Sequence, residues 1–333
     1  NTVVKLTGTL AEAQAFITTK DNFTNNSNVV DVTLDAAAIG DASDLTTLST
    51  DIRTLGGGTA ELDLTNITAI TGDFSSLNTI ISNSGAVGSN EKFSGIAAQA
   101  ITANDATITV DNANTLSGAT TGKVTATIAT GSLTTLNGLS AAAQPANGDA
   151  FALTLNDTSV DAGDLATLDS KVDQAGGGSI NMNTVVKLTG TLTEAQTFIT
   201  TKDNFTNNSN VVDIDLSGTI GDAAAVDTLS TDIRALSGGT AEINLTGVTA
   251  ISGTFAQLET IIDDSGAVGS NEKFSGVAAQ TLTEDSGGTI SVANANKLSG
   301  ATTGKVTATI TTGSLATLNG LSAAAQPANG DAF

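Results

Sequence analysis

The sequence predicts an α/β solenoid in which each coil of roughly 30 residues adds one parallel β-strand and one short helix, with a purely β-stranded solenoid as the alternative. Three observations lead there. Thr2–Asp31 returns as Thr184–Asp213, a period of 182 residues, with only Ala11 exchanged for Thr193 and Ala15 for Thr197. Leu116–Phe151 returns as Leu298–Phe333, again with two exchanges, Ala129 for Thr311 and Thr134 for Ala316. Inside each period, strand-like and helix-like segments alternate, punctuated by glycine. Coils this short favour stacking over closure into a doubly wound domain, and near-identical copies place function in reiteration.

Residues 1–151 read as the first copy, 152–183 as a joining coil, and 184–333 as a second copy expected to continue as the first does. The period slips by one residue near Asp35–Ala38 and recovers near Gly287–Gly288. The two prolines, Pro145 and Pro327, are equivalent, and no Pro- or Ser-rich linker separates the copies, so one continuous array is expected.

The helix-like pieces are Leu10–Thr18, Asp44–Leu55, Phe74–Ser82, Ala113–Leu116, Leu133–Ala142 and Asp164–Ala175. Asp164–Ala175 carries Leu165, Leu168 and Val172 at i, i+3 and i+7, one buried stripe. Thr9 with Glu12 and Thr191 with Glu194 fit the capping box, while Ser43, Asp73, Ser132 and Gly163 precede other starts. Gly56–Gly58 and Gly176–Gly178 supply left-handed stops. The strand-like runs are Val3–Leu6, Val29–Leu34, Ala60–Leu64, Thr107–Val110, Lys123–Ile128, Phe151–Leu155 and Ser179–Asn181, rich in Val, Ile and Thr with period-two alternation. The ten phenylalanines fall into pairs, Phe16/Phe198, Phe23/Phe205, Phe74/Phe255, Phe93/Phe274 and Phe151/Phe333, as core positions would.

Composition narrows the chemistry. The formal charge of −22 opposes nucleic-acid and anionic-lipid binding. Cys, His, Trp and Tyr are all absent, which removes thiol chemistry, the commonest general base and zinc ligand, and the usual stacking platforms. No run of ~18 apolar residues calls for membrane insertion. Hard oxygen ligands are the only metal donors, so loosely bound calcium is the one cofactor left open; the calcium nonapeptide is absent, and Asp285–Ser291 is only a faint echo of it.

Carboxylate pairs at Asp41/Asp44, Asp161/Asp164, Asp263/Asp264 and Glu284/Asp285 raise the question of a polysaccharide hydrolase. They are scattered, Asp44 becomes Ala225 in the second copy, and N-capping accounts for those beside helix starts. No catalytic, cofactor-binding or metal-ligating residue is therefore assigned, and no enzyme is expected. Asn-x-Ser/Thr at Asn22, Asn25, Asn66, Asn156, Asn204, Asn207 and Asn244 reads as solvated turns, and Thr-x-Thr at Thr107/Thr109, Thr125/Thr127 and Thr307/Thr309 is too irregular for an ice-binding face. Arg53 and Arg234 are expected to form local ion pairs with Asp51 and Asp232.

Thr121–Gly131 (TGKVTATIATG), Ser132–Leu139 (SLTTLNGL) and Leu6–Phe16 (LTGTLAEAQAF) resemble repeats in the giant cell-surface proteins of marine cyanobacteria, which include swimming-associated and adhesin-like members. The resemblance implies secretion, a cell-surface location and calcium, and it carries no catalytic or binding residue onto this sequence. The expected role is a structural extracellular rod, fibre or coat that associates with itself end to end or laterally, or with the cell envelope and other surface components. The alternatives are a calcium-dependent adhesin and a β-helical polysaccharide-active enzyme.

Overall fold

The computed structural model describes residues 4–24, 26–35, 38–88, 91–140, 148–269, 272–321 and 330–333. Pro145, Pro327, Asn25 and the end of the expected helix Leu133–Ala142 lie outside the described residues. The chain divides into two units, Asn1–Thr154 with Leu168–Asn181 and Leu155–Thr167 with Met182–Phe333. Both are mixed α/β, built on parallel sheets with no closed barrel.

In the first unit two parallel ladders run side by side. One joins Val4–Gly8, Val29–Leu34, Glu61–Asp63, Phe93–Ser94 and Ser84–Gly85. The other joins Ala38–Ile39, Ala69–Gly72, Ala100–Ala103, Val124–Thr127, Ala150–Thr154 and Ser179–Asn181. Parallel neighbours need a crossover, and helices Leu10–Thr19, Ala42–Leu55, Phe74–Ser82 and Val110–Ala119 supply it.

The registers put like residues in columns. Leu6, Val32, Leu62 and Phe93 are successive partners, as are Ile39, Ile70, Ile101 and Val124. From Val32 onward every member of these columns is buried, and each such side chain contributes roughly 1.5–3 kcal/mol. Leu45, Leu48 and Ile52 of helix Ala42–Leu55 are buried against this core, a stripe at three- and four-residue spacing.

The second unit repeats the plan. Ser159–Asp161, Lys187–Thr191, Asp213–Ile220 and Glu242–Gly253 pair in parallel. The first half of Glu242–Gly253 then meets Phe274–Ser275, and its second half meets Thr281–Glu284, which pairs with Val306–Thr307. Its columns are Leu188, Ile214, Ile243, Phe274 and Ile220, Ile251, Leu282, Val306. Helices Leu192–Thr201, Ala223–Leu236, Phe255–Asp263 and Val292–Ala301 stand where the first unit has its own.

Several expectations need correction. In the first unit two strand segments can stand between successive helices, as Glu61–Asp63 and Ala69–Gly72 do between Ala42–Leu55 and Phe74–Ser82, whereas the equivalent Glu242–Gly253 of the second unit is one strand with register shifts against its neighbour. The break is a polar corner in which Asp63 Oδ1 accepts from the Thr65 amide (3.0 Å) and Thr65 Oγ1 (2.6 Å), an Asx turn at the end of the expected strand Ala60–Leu64. Gly95 closes over that corner at φ +77, where a Cβ would stand 2.6 Å from the Thr65 nitrogen; Gly276 does the same over Thr246. Thr107–Val110 is not a strand: Thr109 caps helix Val110–Ala119 by accepting from the Asn112 amide (3.2 Å), and only Ile108 makes a bridge, to Ile128. A Thr hydroxyl placed to cap overrides the alternating pattern there.

Both capping boxes form as expected. Asp41, not Ser43, caps Ala42–Leu55, and Asp161 accepts from the amides of Gly163 and Asp164 ahead of helix Ala162–Asp169. That helix ends at Asp169, well short of Ala175, although Leu165, Leu168 and Val172 are all buried. Phe93, Phe151, Phe198, Phe205 and Phe274 are core residues, but Phe333 is 36% exposed and Phe23 52%. The Phe23 ring lies 5.6 Å from that of Phe16, so one side is covered and the other open.

Candidate functional site

Each carboxylate pair that invites a catalytic reading has at least one member engaged in a local contact. Asp41 accepts from the Ser43 amide at 2.8 Å, and Glu284 from the Ser286 amide at 3.2 Å. Asp263 pairs with Lys297 and Asp264 with Lys273, each at 2.8 Å. The Asp264 hydrogen bond, despite some desolvation, raises the Lys273 ammonium above its ordinary value; the contacts with Asp263 and then Glu259 do the same for Lys297. Among the described residues no group of three or more Asp or Glu side chains is placed to hold a metal ion.

The deepest acids are ones the sequence reading passed over. Glu61 is 3% exposed, and its carboxylate accepts from the Gly88 amide (2.9 and 3.0 Å) and from Ser94 Oγ (2.6 Å). Glu242 repeats this with Gly269 and Ser275 at the same distances. Each clamps a loop back over the outer face of a strand whose other face carries Leu62 or Ile243. Asp149, fully buried, accepts from Ser117 Oγ and the Val124 amide (2.8 Å); desolvation raises its pKa against the pull of those donors. Asp331 repeats the pattern with Ser299 and Val306. A signal was available: all four acids and all their partners are the same residue types in both copies.

A polar rung lies on the outer face of the first ladder. Lys5, Asp31 and Glu61 are successive register partners, and two residues on stand Thr33 and Asp63. Desolvation pushes the Asp63 carboxyl up, but hydrogen bonds from Thr65, the Lys5 charge and the Thr33 hydroxyl outweigh it and leave the pKa lowered. In the second unit Lys187, Asp213 and Glu242 align, followed by Asp215 and Asn244. Burial there raises Asp213; Lys187 opposes this, and the charges of Glu242 and Asp215 add to it.

The remaining sequence candidates fall into structural places. Arg53 Nη1 donates to the carbonyls of Ala60 (3.0 Å) and Glu91 (3.4 Å), and Arg234 to those of Ala241 (2.8 Å) and Glu272 (3.5 Å), which ties each helix to the strand and loop that follow. Asn66 and Asn156 are exposed, Asn207 takes a left-handed turn conformation, and Asn244 is held by Asp215. Thr71, Thr102 and Thr125 align across strands, but the column stops at Ala150.

One open concavity occurs in both copies. Ile262, Ser265, Gly266, Gly276, Val277 and Ala301 line a shallow groove of about 430 Å³, and their counterparts from Ile81 to Ala119 line one of about 250 Å³. Among the described residues no Asp or Glu lines either. No protein-family model matches the chain, and no curated protein matches it in sequence.

Proposed function

We infer that the chain is a structural segment of a long extracellular repeat protein, a rod, fibre or surface coat whose coils stack as an α/β solenoid. The observation that carries this reading is that what the two copies preserve are contacts between neighbouring strands and helices. The columns Leu6–Val32–Leu62–Phe93 and Leu188–Ile214–Ile243–Phe274 are the same column, and the Glu61 and Glu242 clamps are the same clamp. Register partners recur at short intervals: 23 residues separate Ile101 from Val124, and 31 separate Leu62 from Phe93. Intervals of that size, with parallel pairing at each, are those of a coil that adds to its predecessor. Each coil then carries a helix with either two strand segments, as at Glu61–Asp63 and Ala69–Gly72, or one longer strand, as at Glu242–Gly253.

The extracellular placement rests on the resemblance of Thr121–Leu139 and Leu6–Phe16 to cyanobacterial surface repeats. Association with further copies, end to end or side by side, belongs to the same reading. The test is to append residues 152–333 once more after Phe333, which continues the period in phase, and to compare radii of gyration by small-angle scattering. A stacked rod lengthens by about 1.5-fold, whereas a compact particle grows by only about 1.2-fold. The smaller figure overturns the reading.

A further inference from the structure

The two copies differ in a patterned way at two places where neighbouring elements meet. At the rung beside the lysine, Thr33 and Asp63 of the first unit correspond to Asp215 and Asn244 of the second. The carboxylate has moved to the adjacent strand, and the lysine follows it. Lys5 Nζ lies 3.6 Å from Asp63 and Lys187 Nζ lies 3.0 Å from Asp215. The rest of the network is rebuilt around the move: Thr33 Oγ1 donates to Asp63 (3.4 Å), whereas Asn244 Nδ2 donates to Asp215 (3.0 Å). Asn244 Oδ1 still accepts from the amide and hydroxyl of Thr246, as Asp63 does from Thr65.

The second place is the contact between successive helices. Lys297 of Val292–Ala301 reaches Glu259 (2.7 Å) and Asp263 (2.8 Å) of Phe255–Asp263. The first copy has Thr115, Asn78 and Ser82 at those positions, so a charged set has replaced a neutral set as a block.

Either arrangement works within its own copy, and the two do not mix. A strand bearing Thr33 laid on the strand bearing Asn244 leaves no carboxylate on the rung and the lysine without its partner. A strand bearing Asp215 laid on the strand bearing Asp63 sets two further carboxylates on strands about 4.8 Å apart, next to the Asp–Glu pair that each copy already carries, which is destabilising. The helix contact discriminates in the same sense: Lys297 against Asn78 and Ser82 loses both acids, and Thr115 against Glu259 and Asp263 leaves two acids facing a hydroxyl. Everything else at these contacts, including the apolar columns, is near enough alike to permit exchange. Repeat proteins with similar copies are prone to such misassembly.

We propose that these block exchanges are a pairing code, which makes the strands and helices of each copy select their own neighbours and suppresses strand exchange between near-identical copies, in one chain or between chains. The proposal is independent of where the protein resides and of the shape of the whole array.

The experiment rewrites the first copy in the code of the second. Thr33→Asp with Asp63→Asn transfers the rung, and Asn78→Glu, Ser82→Asp and Thr115→Lys transfer the helix set. The full chain is unfolded in denaturant and refolded over a range of concentrations. The exchanged dimer and misassembled monomer are counted by size-exclusion chromatography with light scattering. The rung double variant melts within about 1 °C of the parent, because it installs an arrangement the fold already uses, while Thr33→Asp alone and Asp63→Asn alone each melt lower. The five-substitution chain gives a several-fold larger misassembled fraction than the parent. If it melts like the parent and misassembles no more, there is no code. If the rung double variant melts as low as its single components, the two arrangements are not interchangeable and the proposal also fails.

Discussion

Removing the Glu61 carboxylate tests whether the buried clamps hold the fold as the geometry implies. Glu61→Ala strands two donors, the Gly88 amide and the Ser94 hydroxyl, and Ser94 is fully buried. Ser94 as a stranded buried donor costs about 1–3 kcal/mol, and the lost bond to the exposed Gly88 amide adds about 0.5–1.5 kcal/mol, so the change predicts a loss of about 1.5–4.5 kcal/mol. Ser94→Ala instead removes one donor and leaves the carboxylate on Gly88, a loss of about 1–3 kcal/mol. The double variant leaves only the Gly88 amide unsatisfied and should cost about 1–2 kcal/mol less than the two single losses added. Equilibrium urea unfolding followed by circular dichroism measures all three, and hydrogen exchange at Gly88 shows whether the loop has been released. The reasoning is refuted if Glu61→Ala stays within about 0.5 kcal/mol of the parent. Strict additivity refutes it as well, because the penalty is assigned to a shared bond.

Four further outcomes follow from the same contacts. Phe93→Ala and Phe274→Ala should each cost about 3–5 kcal/mol in urea melts, since both are buried at the end of equivalent columns; a value below ~1 kcal/mol for either breaks the equivalence. Asp73→Ala should cost about 1 kcal/mol at neutral pH by removing the cap on Ser76. The Ser76 backbone and side-chain bonds lower the Asp73 pKa, so its contribution is present above the ordinary carboxylate value and fades as pH falls through the lowered one. A variant-minus-parent difference that persists in acid contradicts that assignment. Asp213→Asn should act oppositely, because burial first, with Glu242 and Asp215, raises the Asp213 pKa; ionisation costs the fold stability as pH rises above the ordinary value. The variant should therefore gain a few tenths of a kcal/mol, about 0.3, at pH 7 and nothing at low acid pH, as read in paired melts. Chelator against millimolar calcium should shift melting by less than about 1 °C; a shift of several degrees would restore the calcium reading.

What the sequence disclosed and what it hid divide along a physical line. Local chemistry was legible: helix Phe74–Ser82, strands Val29–Leu34 and Ser179–Asn181, and both capping boxes stand where spacing put them. Their signals are confined to one or two turns of chain. The corners were not legible, because the Asx turn at Asp63 falls within the expected strand Ala60–Leu64, whose alternation carries no mark of it. Ala69–Gly72 and Ala100–Ala103 were passed over because alanine and glycine carry little β-propensity. Glu61 and Asp149 escaped for a different reason. An acid is ordinarily placed at the surface, and only the return of a loop some 27 residues on, or of Ser117 from 32 residues back, buries it.

The duplication bears on how the site question should be posed. If the chain carried one reactive centre, the residues surrounding it would be singular, and the second copy would be free to lose them. Glu61 and Glu242, Asp149 and Asp331, and the two open grooves instead occur twice, each with its partners intact. Where the copies do diverge, at Thr33/Asp63 against Asp215/Asn244 and at Thr115 against Lys297, the partners diverge with them. A contact kept while its residues change points to constraint on fit between neighbouring elements. That is the constraint the proposed stacked array would impose, since each of its coils would rest on the one before it and receive the next.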